Sequence, residues 1–158
     1  MSFTAIFHIN INCTDLDRSI AFYQDLGFKV AADLGEIDGG DVMRGLGLST
    51  DSKARAAILS LDPSQARLAR IDLIQWLRPQ THGEPTHSPP HSDLAGIGLA
   101  RLTLWTRNIA EEVDRLQGLG IEFIAEPLSI PGGDGIFACF RDPDGTVIEL
   151  IETHVPSA

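Results

Sequence analysis

The chain has 158 residues, 43% of them hydrophobic, and a formal charge of −10 from 22 acidic and 12 basic side chains. That balance argues against a nucleic-acid partner, which draws on clustered Lys and Arg; Lys29 and Lys53 are the only lysines. No apolar run reaches the roughly 20 residues of a membrane span, and no basic region precedes an apolar stretch at the N-terminus, so a cytoplasmic protein with no membrane partner is expected.

Phe7–Asn12 alternates strictly between apolar and polar residues, the pattern of a half-buried strand. Asp15 is placed to cap a helix whose apolar residues Leu16, Ile20, Tyr23 and Leu26 recur at helical spacing, and Gly27 ends it. Phe28-Lys29-Val30 opens a second strand, and a Gly-rich stretch runs from Gly35 to Ser52, with a short helix at Asp41–Leu46. Strands near Ala56–Leu61 and Arg70–Trp76 complete a βαβββ unit.

The same order returns after a connector. Laid on the first unit without gaps, Leu102 falls on Ile9, Leu104 on Ile11, Asn108 on Asp15, Ile109 on Leu16, Val113 on Ile20 and Leu119-Gly120 on Leu26-Gly27. Leu99–Thr106 reads as a strand, and Asn108 and Glu111 have capping-box spacing. Strands at Ile121–Ala125, Ile136–Arg141 and Thr146–Glu152 follow, the last two joined by Asp142-Pro143-Asp144-Gly145, a hairpin signal with Pro and Gly at the turn positions they favour. The domain plan is a first module at 1–78, a linker at 79–97 rich in Pro and containing His82, His87 and His91, and a second module at 98–158. Cys13 and Cys139 are too few for a disulfide framework and are expected as reduced, packed thiols.

Two βαβββ units, the Asp-Pro-Asp-Gly turn and the terminal Val147–Glu152 strand resemble the vicinal oxygen chelate superfamily, which includes glyoxalase I, methylmalonyl-CoA epimerase, extradiol dioxygenases, fosfomycin-resistance enzymes and bleomycin-binding proteins. The resemblance implies an α+β fold, a cup-shaped, mostly antiparallel, barrel-like sheet of eight strands with helices outside. It also implies metal ligands on the first and last strands of each unit. Carried onto this chain, those positions are His8, Asp72, Arg101 and Glu149, with Asp72 found by laying Arg70–Gln75 on Val147–Glu152. Arg101 stands where the family offers His, and Asp72 is shorter than the Glu or Gln often found at its position.

Strand alternation gives these positions a reason of their own to share a face. His8 is bracketed by Phe7 and Ile9, and Glu149 by Ile148 and Leu150, so each points away from its apolar neighbours. Two arrangements follow. In one, His8, Asp72 and Glu149 hold a divalent metal such as Mn, Ni, Co, Zn or Mg with positions open to substrate. The obstacle is Arg101, since a unit charge about 5 Å from a doubly charged cation costs roughly 7 kcal/mol at an effective dielectric near 20. In the other, the guanidinium takes the metal's place and bridges Asp72 and Glu149, leaving His8 as a proton carrier. An extradiol-type iron site needs two His and one carboxylate, and only His8 is available.

Trp76, Trp105, Met43, Phe137 and Phe140 are candidates to line a pocket for a partly apolar molecule carrying a carbonyl or hydroxyl group. Glu126 and Glu152 read as solvated surface carboxylates. The function expected is proton transfer on such a molecule by Glu149, Asp72 or His8, of the isomerase, epimerase or lyase type, with Arg101 as a substrate contact. The alternative is a metal-free binding protein that sequesters an aromatic metabolite or antibiotic. A homodimer is expected, as for most soluble oligomers.

Overall fold

The computed structural model describes residues 7–65, 69–81, 99, 101–130 and 135–153. The linker from residue 82 onward, with His82, His87 and His91, lies outside them. The chain divides into two compact units, Met1–Gly83 and Glu84–Ala158, each with a four-stranded mixed sheet and a packed helix.

The first unit contains β1 (His8–Asn12), α1 (Leu16–Asp25), β2 (Lys29–Asp38), α2 (Asp41–Gly45), β3 (Lys53–Ser60), a 3₁₀ turn at Pro63–Gln65 and β4 (Arg70–Arg78). Its sheet order is β1-β4-β3-β2, with β1 parallel to β4 and the other pairs antiparallel. Asp15 caps α1 by accepting from Arg18 N at 3.0 Å, and Gly27 follows the helix with φ 96°. The helix packs on β3 and β4, where Leu16, Tyr23, Ala57, Leu59, Ile71 and Leu73 form a buried core.

Strand β2 runs to Asp38, well into the stretch expected as a Gly-rich loop. Gly35 has φ 60° and sits where the β2–β3 register shifts. It makes an irregularity inside the strand rather than ending it.

The second unit contains β5 (Leu102–Trp105), α3 (Ile109–Gly118), β6 (Leu128–Ser129), β7 (Ile136–Arg141) and β8 (Val147–Glu152). Its order is β5-β8-β7-β6, again with the first pair parallel. Ile109, Val113 and Leu116 of α3 are buried, and the helix packs on β7 and β8. Asn108 Oδ1 accepts from Glu111 N at 3.2 Å, while the Glu111 carboxylate accepts from the Asn108 amide. At the hairpin, buried Asp142 accepts from Asp144 N and Thr146 N at 3.0 and 2.7 Å, and Gly145 takes φ 92°.

The second strand of this unit differs from expectation. Ile121–Ala125 makes only an isolated bridge, Phe123 to Phe140, and the regular pairing lies further on, at Leu128–Ser129. Pro127 has no N–H to give the ladder and stands between the two contacts, so the edge strand is interrupted there. Strand β5 is also shorter than expected, and Arg101 stands just before it. Glu152 is not a solvated surface group: it is half-buried and accepts from Ile109 N at 2.8 Å.

The ladders repeat the internal homology. Asn10 pairs with Asp72 in the first unit and Thr103 with Glu149 in the second. The alignment of the two halves puts Asn10 on Thr103 and Asp72 on Glu149. Among the described residues no helix is long and apolar enough to cross a membrane.

Candidate functional site

In each unit the sheet face away from the helix carries the candidate polar groups. On β4 the residues alternate: Ile71 and Leu73 enter the core, while Arg70, Asp72, Ile74 and Trp76 share the opposite face. Asp72 Oδ2 lies 3.1 Å from His8 Nδ1. Its other oxygen lies 2.9 Å from Arg70 Nε, and Arg70 Nη2 donates to Oδ2 at 3.2 Å. The Asp72 side chain is 14% exposed and that of His8 35%, so the acid is sheltered and the imidazole faces outward. The Arg70 guanidinium also stacks over the Phe7 ring at 4.4 Å.

Arg70 did not appear among the expected site residues. The signal was in the sequence: Arg70 and Asp72 are two apart on one strand, which puts both on one face. Asp72 therefore has a guanidinium of its own within the first unit, a partner for this carboxylate that the four family positions do not include.

In the second unit Arg101 Nε is ion-paired with Glu149 Oε2. The Glu149 side chain is 9% exposed and that of Arg101 46%. Cys139 pairs with Glu149 across β7 and β8. Burial pushes its thiol above the usual value of 9.0, the Glu149 carboxylate pushes it further in the same direction, and Arg101 opposes both.

The aromatic candidates separate. Trp76 Nε1 donates to Asn12 Oδ1 at 3.0 Å, on the face that carries Asp72. Trp105 is 48% exposed, donates from Nε1 to Thr153 O at 3.1 Å and lies 6.0 Å from the Arg107 guanidinium. Alternation puts Phe137 on the Cys139 face of β7, half-buried. Phe140 is on the other face, fully buried and edge-on to Phe123, so its place is in the core. Met43 is buried on α2.

A divalent metal suits neither donor set as it stands. Asp72 Oδ1 faces Arg70 Nε, Oδ2 faces both Arg70 Nη2 and the His8 imidazole, and Glu149 is held by Arg101. A metal at either carboxylate would meet a guanidinium already on it. Among the described residues no group of three His, Cys, Asp or Glu side chains is placed to hold a metal ion.

The paired ladders, the repeated helix and the polar strand positions agree with a family match. The model of the Glyoxalase/Bleomycin resistance protein/Dioxygenase superfamily covers residues 5–150. The chain belongs to this superfamily. Among solved members of the fold, a glyoxalase family protein from Bacillus cereus is 21% identical with a TM-score of 0.78, over 96% of this chain and 95% of that one. TnmS3, an antibiotic binding protein from Streptomyces sp. CB03234, is 22% identical with a TM-score of 0.63, over 98% and 99%. A glyoxalase I variant from Zea mays is 18% identical with a TM-score of 0.66, over 96% of this chain but 47% of that one. This superfamily member therefore spans about half the length of the maize chain. At these identities the likeness shows the fold alone. No curated protein matches the chain in sequence.

Proposed function

We propose that this superfamily member binds a small, partly apolar molecule through one of its oxygen atoms, without a metal. One observation carries the reading: each carboxylate at the family's ligand positions has its own guanidinium, Arg70 on Asp72 and Arg101 on Glu149. A guanidinium has five N–H donors in a rigid fork. Arg101 is half exposed while Glu149 is buried, so the acid fixes the fork and leaves donors for a carbonyl, hydroxyl or carboxylate oxygen. Thr103 and Trp105 follow on the same face of β5, and the indole adds a flat apolar surface beside the charge. TnmS3, described as an antibiotic binding protein, has the same fold and is a precedent for binding.

The test is tryptophan fluorescence titration against a library of oxygenated aromatic compounds, before and after treatment with a chelator. Binding that survives the chelator and weakens at least about tenfold in Arg101→Met, the effect of losing a charge-assisted hydrogen bond, supports the reading. One equivalent of bound metal, lost together with ligand affinity in Glu149→Gln, overturns it.

A second reading rests on the His8–Asp72 contact at 3.1 Å. A carboxylate on Nδ1 orients an imidazole and leaves Nε2 to carry a proton, the requirement for isomerase, epimerase or lyase chemistry beside a substrate carbonyl. Deuterium uptake from heavy water into a carbonyl compound, abolished in His8→Gln, separates this enzyme from a plain binder. No exchange on any bound compound leaves the binder.

A further inference from the structure

A cavity of about 340 Å³ opens at the ends of β1 and β4, lined by Asn12, Leu48, Trp76, Pro79, Gln80 and Thr81. Its wall is a built turn. Trp76 N donates to Thr81 Oγ1 at 2.7 Å, Thr81 N donates back to Trp76 O at 2.9 Å, and Leu77 and Gln80 form a bridge between them. The volume falls at the small end of the range for ligand pockets, roughly 300–1,000 Å³.

The lining defines the guest. None of its side chains ionises, so a charged molecule would lose water and find no counter-charge, a cost that a neutral one escapes. Leu48, Pro79 and Trp76 supply apolar surface. The single donor of Trp76 is spent on Asn12 Oδ1, so the indole meets a guest through its π face. With its carbonyl oxygen occupied, the Asn12 side chain offers its amide N–H groups to an acceptor on the guest.

We propose that this cavity binds a neutral, planar aromatic molecule bearing an amide or hydroxyl group, stacked on Trp76 and hydrogen-bonded to Asn12. Trp76 is four residues beyond Asp72 on β4, about 13 Å at strand rise. None of Arg70, Asp72, Arg101 and Glu149 lines the cavity, so its occupancy is tested apart from whether Arg101 grips a ligand.

The probes are benzamide and benzoate, which share a shape and differ in charge. The full chain carries two tryptophans, so Trp105→Phe leaves Trp76 as the only indole reporter. Benzamide is expected to quench its fluorescence saturably and to shift its indole N–H resonance. Benzoate is expected to bind at least about tenfold more weakly, the effect of burying an unpaired charge. Leu48→Arg, which extends a charged chain into the cavity, is expected to weaken benzamide at least about tenfold. Asn12→Ala is expected to weaken it about threefold or more, as the loss of one hydrogen bond does. No saturable change with benzamide overturns the proposal, as does equal binding of benzoate. Unchanged affinity in Leu48→Arg overturns it too. Should circular dichroism show Leu48→Arg unfolded, unchanged affinity in Asn12→Ala serves instead.

Discussion

Gln75 and Glu152 hold the same place in the two units, each closing the first turn of the neighbouring helix from the last strand of its sheet. Gln75 Oε1 accepts from Leu16 N at 3.3 Å, and Glu152 Oε2 accepts from Ile109 N at 2.8 Å. The first N–H groups of a helix have no partner within it, so an acceptor from the sheet fixes the helix where it must pack. The two side chains differ in what else they do. Gln75 Nε2 donates to Thr14 O at 2.9 Å, whereas Glu152 brings a negative charge to the positive end of α3.

These roles predict unequal responses to exchange. Glu152→Leu strands the Ile109 N–H and loses the charge, at a cost of about 1–3 kcal/mol. Glu152→Gln keeps an acceptor and costs under about 1 kcal/mol. Gln75→Glu loses the donor to Thr14 and faces that carbonyl with a carboxylate, at about 1–3 kcal/mol. Urea unfolding of the three variants checks the order; equal loss in Glu152→Gln and Glu152→Leu refutes the hydrogen bond.

The pairing of Arg70 with Asp72 is expected to be energetically real. Asp72 is 14% exposed and Arg70 15%, so the pair is sheltered rather than a surface contact of negligible worth. Arg70→Met takes the guanidinium from this sheltered acid and is expected to cost about 2–4 kcal/mol. The double-mutant cycle with Asp72→Asn is expected to give a coupling of about 1–3 kcal/mol. A coupling below about 0.5 kcal/mol marks the contact as incidental.

The duplicated plan was legible because it rests on period and punctuation. Asp15 and Asn108 cap the helices as their spacing predicts, and Gly27 and Gly120 take positive φ after them. The alignment of Asp72 with Glu149 is matched by the Asn10–Asp72 and Thr103–Glu149 ladder pairs. What sequence patterns could not supply was partner choice. Arg70 was visible as a residue and not as the partner of Asp72, because alternation gives a face and not a contact. Glu152 read as solvated because charge at a strand end usually is, yet the helix it meets is distant in sequence. Phe140 resembled Phe137 in composition, and the one-residue shift to the neighbouring face, two further alternations on, put it in the core.

Arg101 and Glu149 are expected to be coupled in stability and in binding. Glu149 is nearly buried and Arg101 half exposed, so water partly compensates for loss of the arginine. Arg101→Met is expected to cost about 1–3 kcal/mol, below the full penalty of a stranded buried charge. Glu149→Gln removes that charge as well, so the double variant is expected to recover part of the loss. Urea unfolding of the four proteins reads the cycle; a double variant as unstable as the sum of the singles rejects the pair.

Cys139 supplies a chemical readout of the same pair. Burial and the Glu149 carboxylate raise its pKa above 9.0, and Arg101 lowers it. At neutral pH the thiol is protonated, so it is expected to react with a disulfide reagent more slowly than in the unfolded chain. Glu149→Gln removes a negative charge and is expected to speed the reaction, while Arg101→Met removes the opposing positive charge and slows it. The stability consequence has a definite sign. A pKa raised on folding means the native state holds the proton more tightly, so this contribution is complete below the unfolded value near 9.0 and is lost as pH rises through the folded value. Unfolding free energies of the parent and Cys139→Ala, compared between pH 7 and pH 10, are expected to show a decline in the parent that the variant lacks. Parallel declines would remove the thiol as the cause.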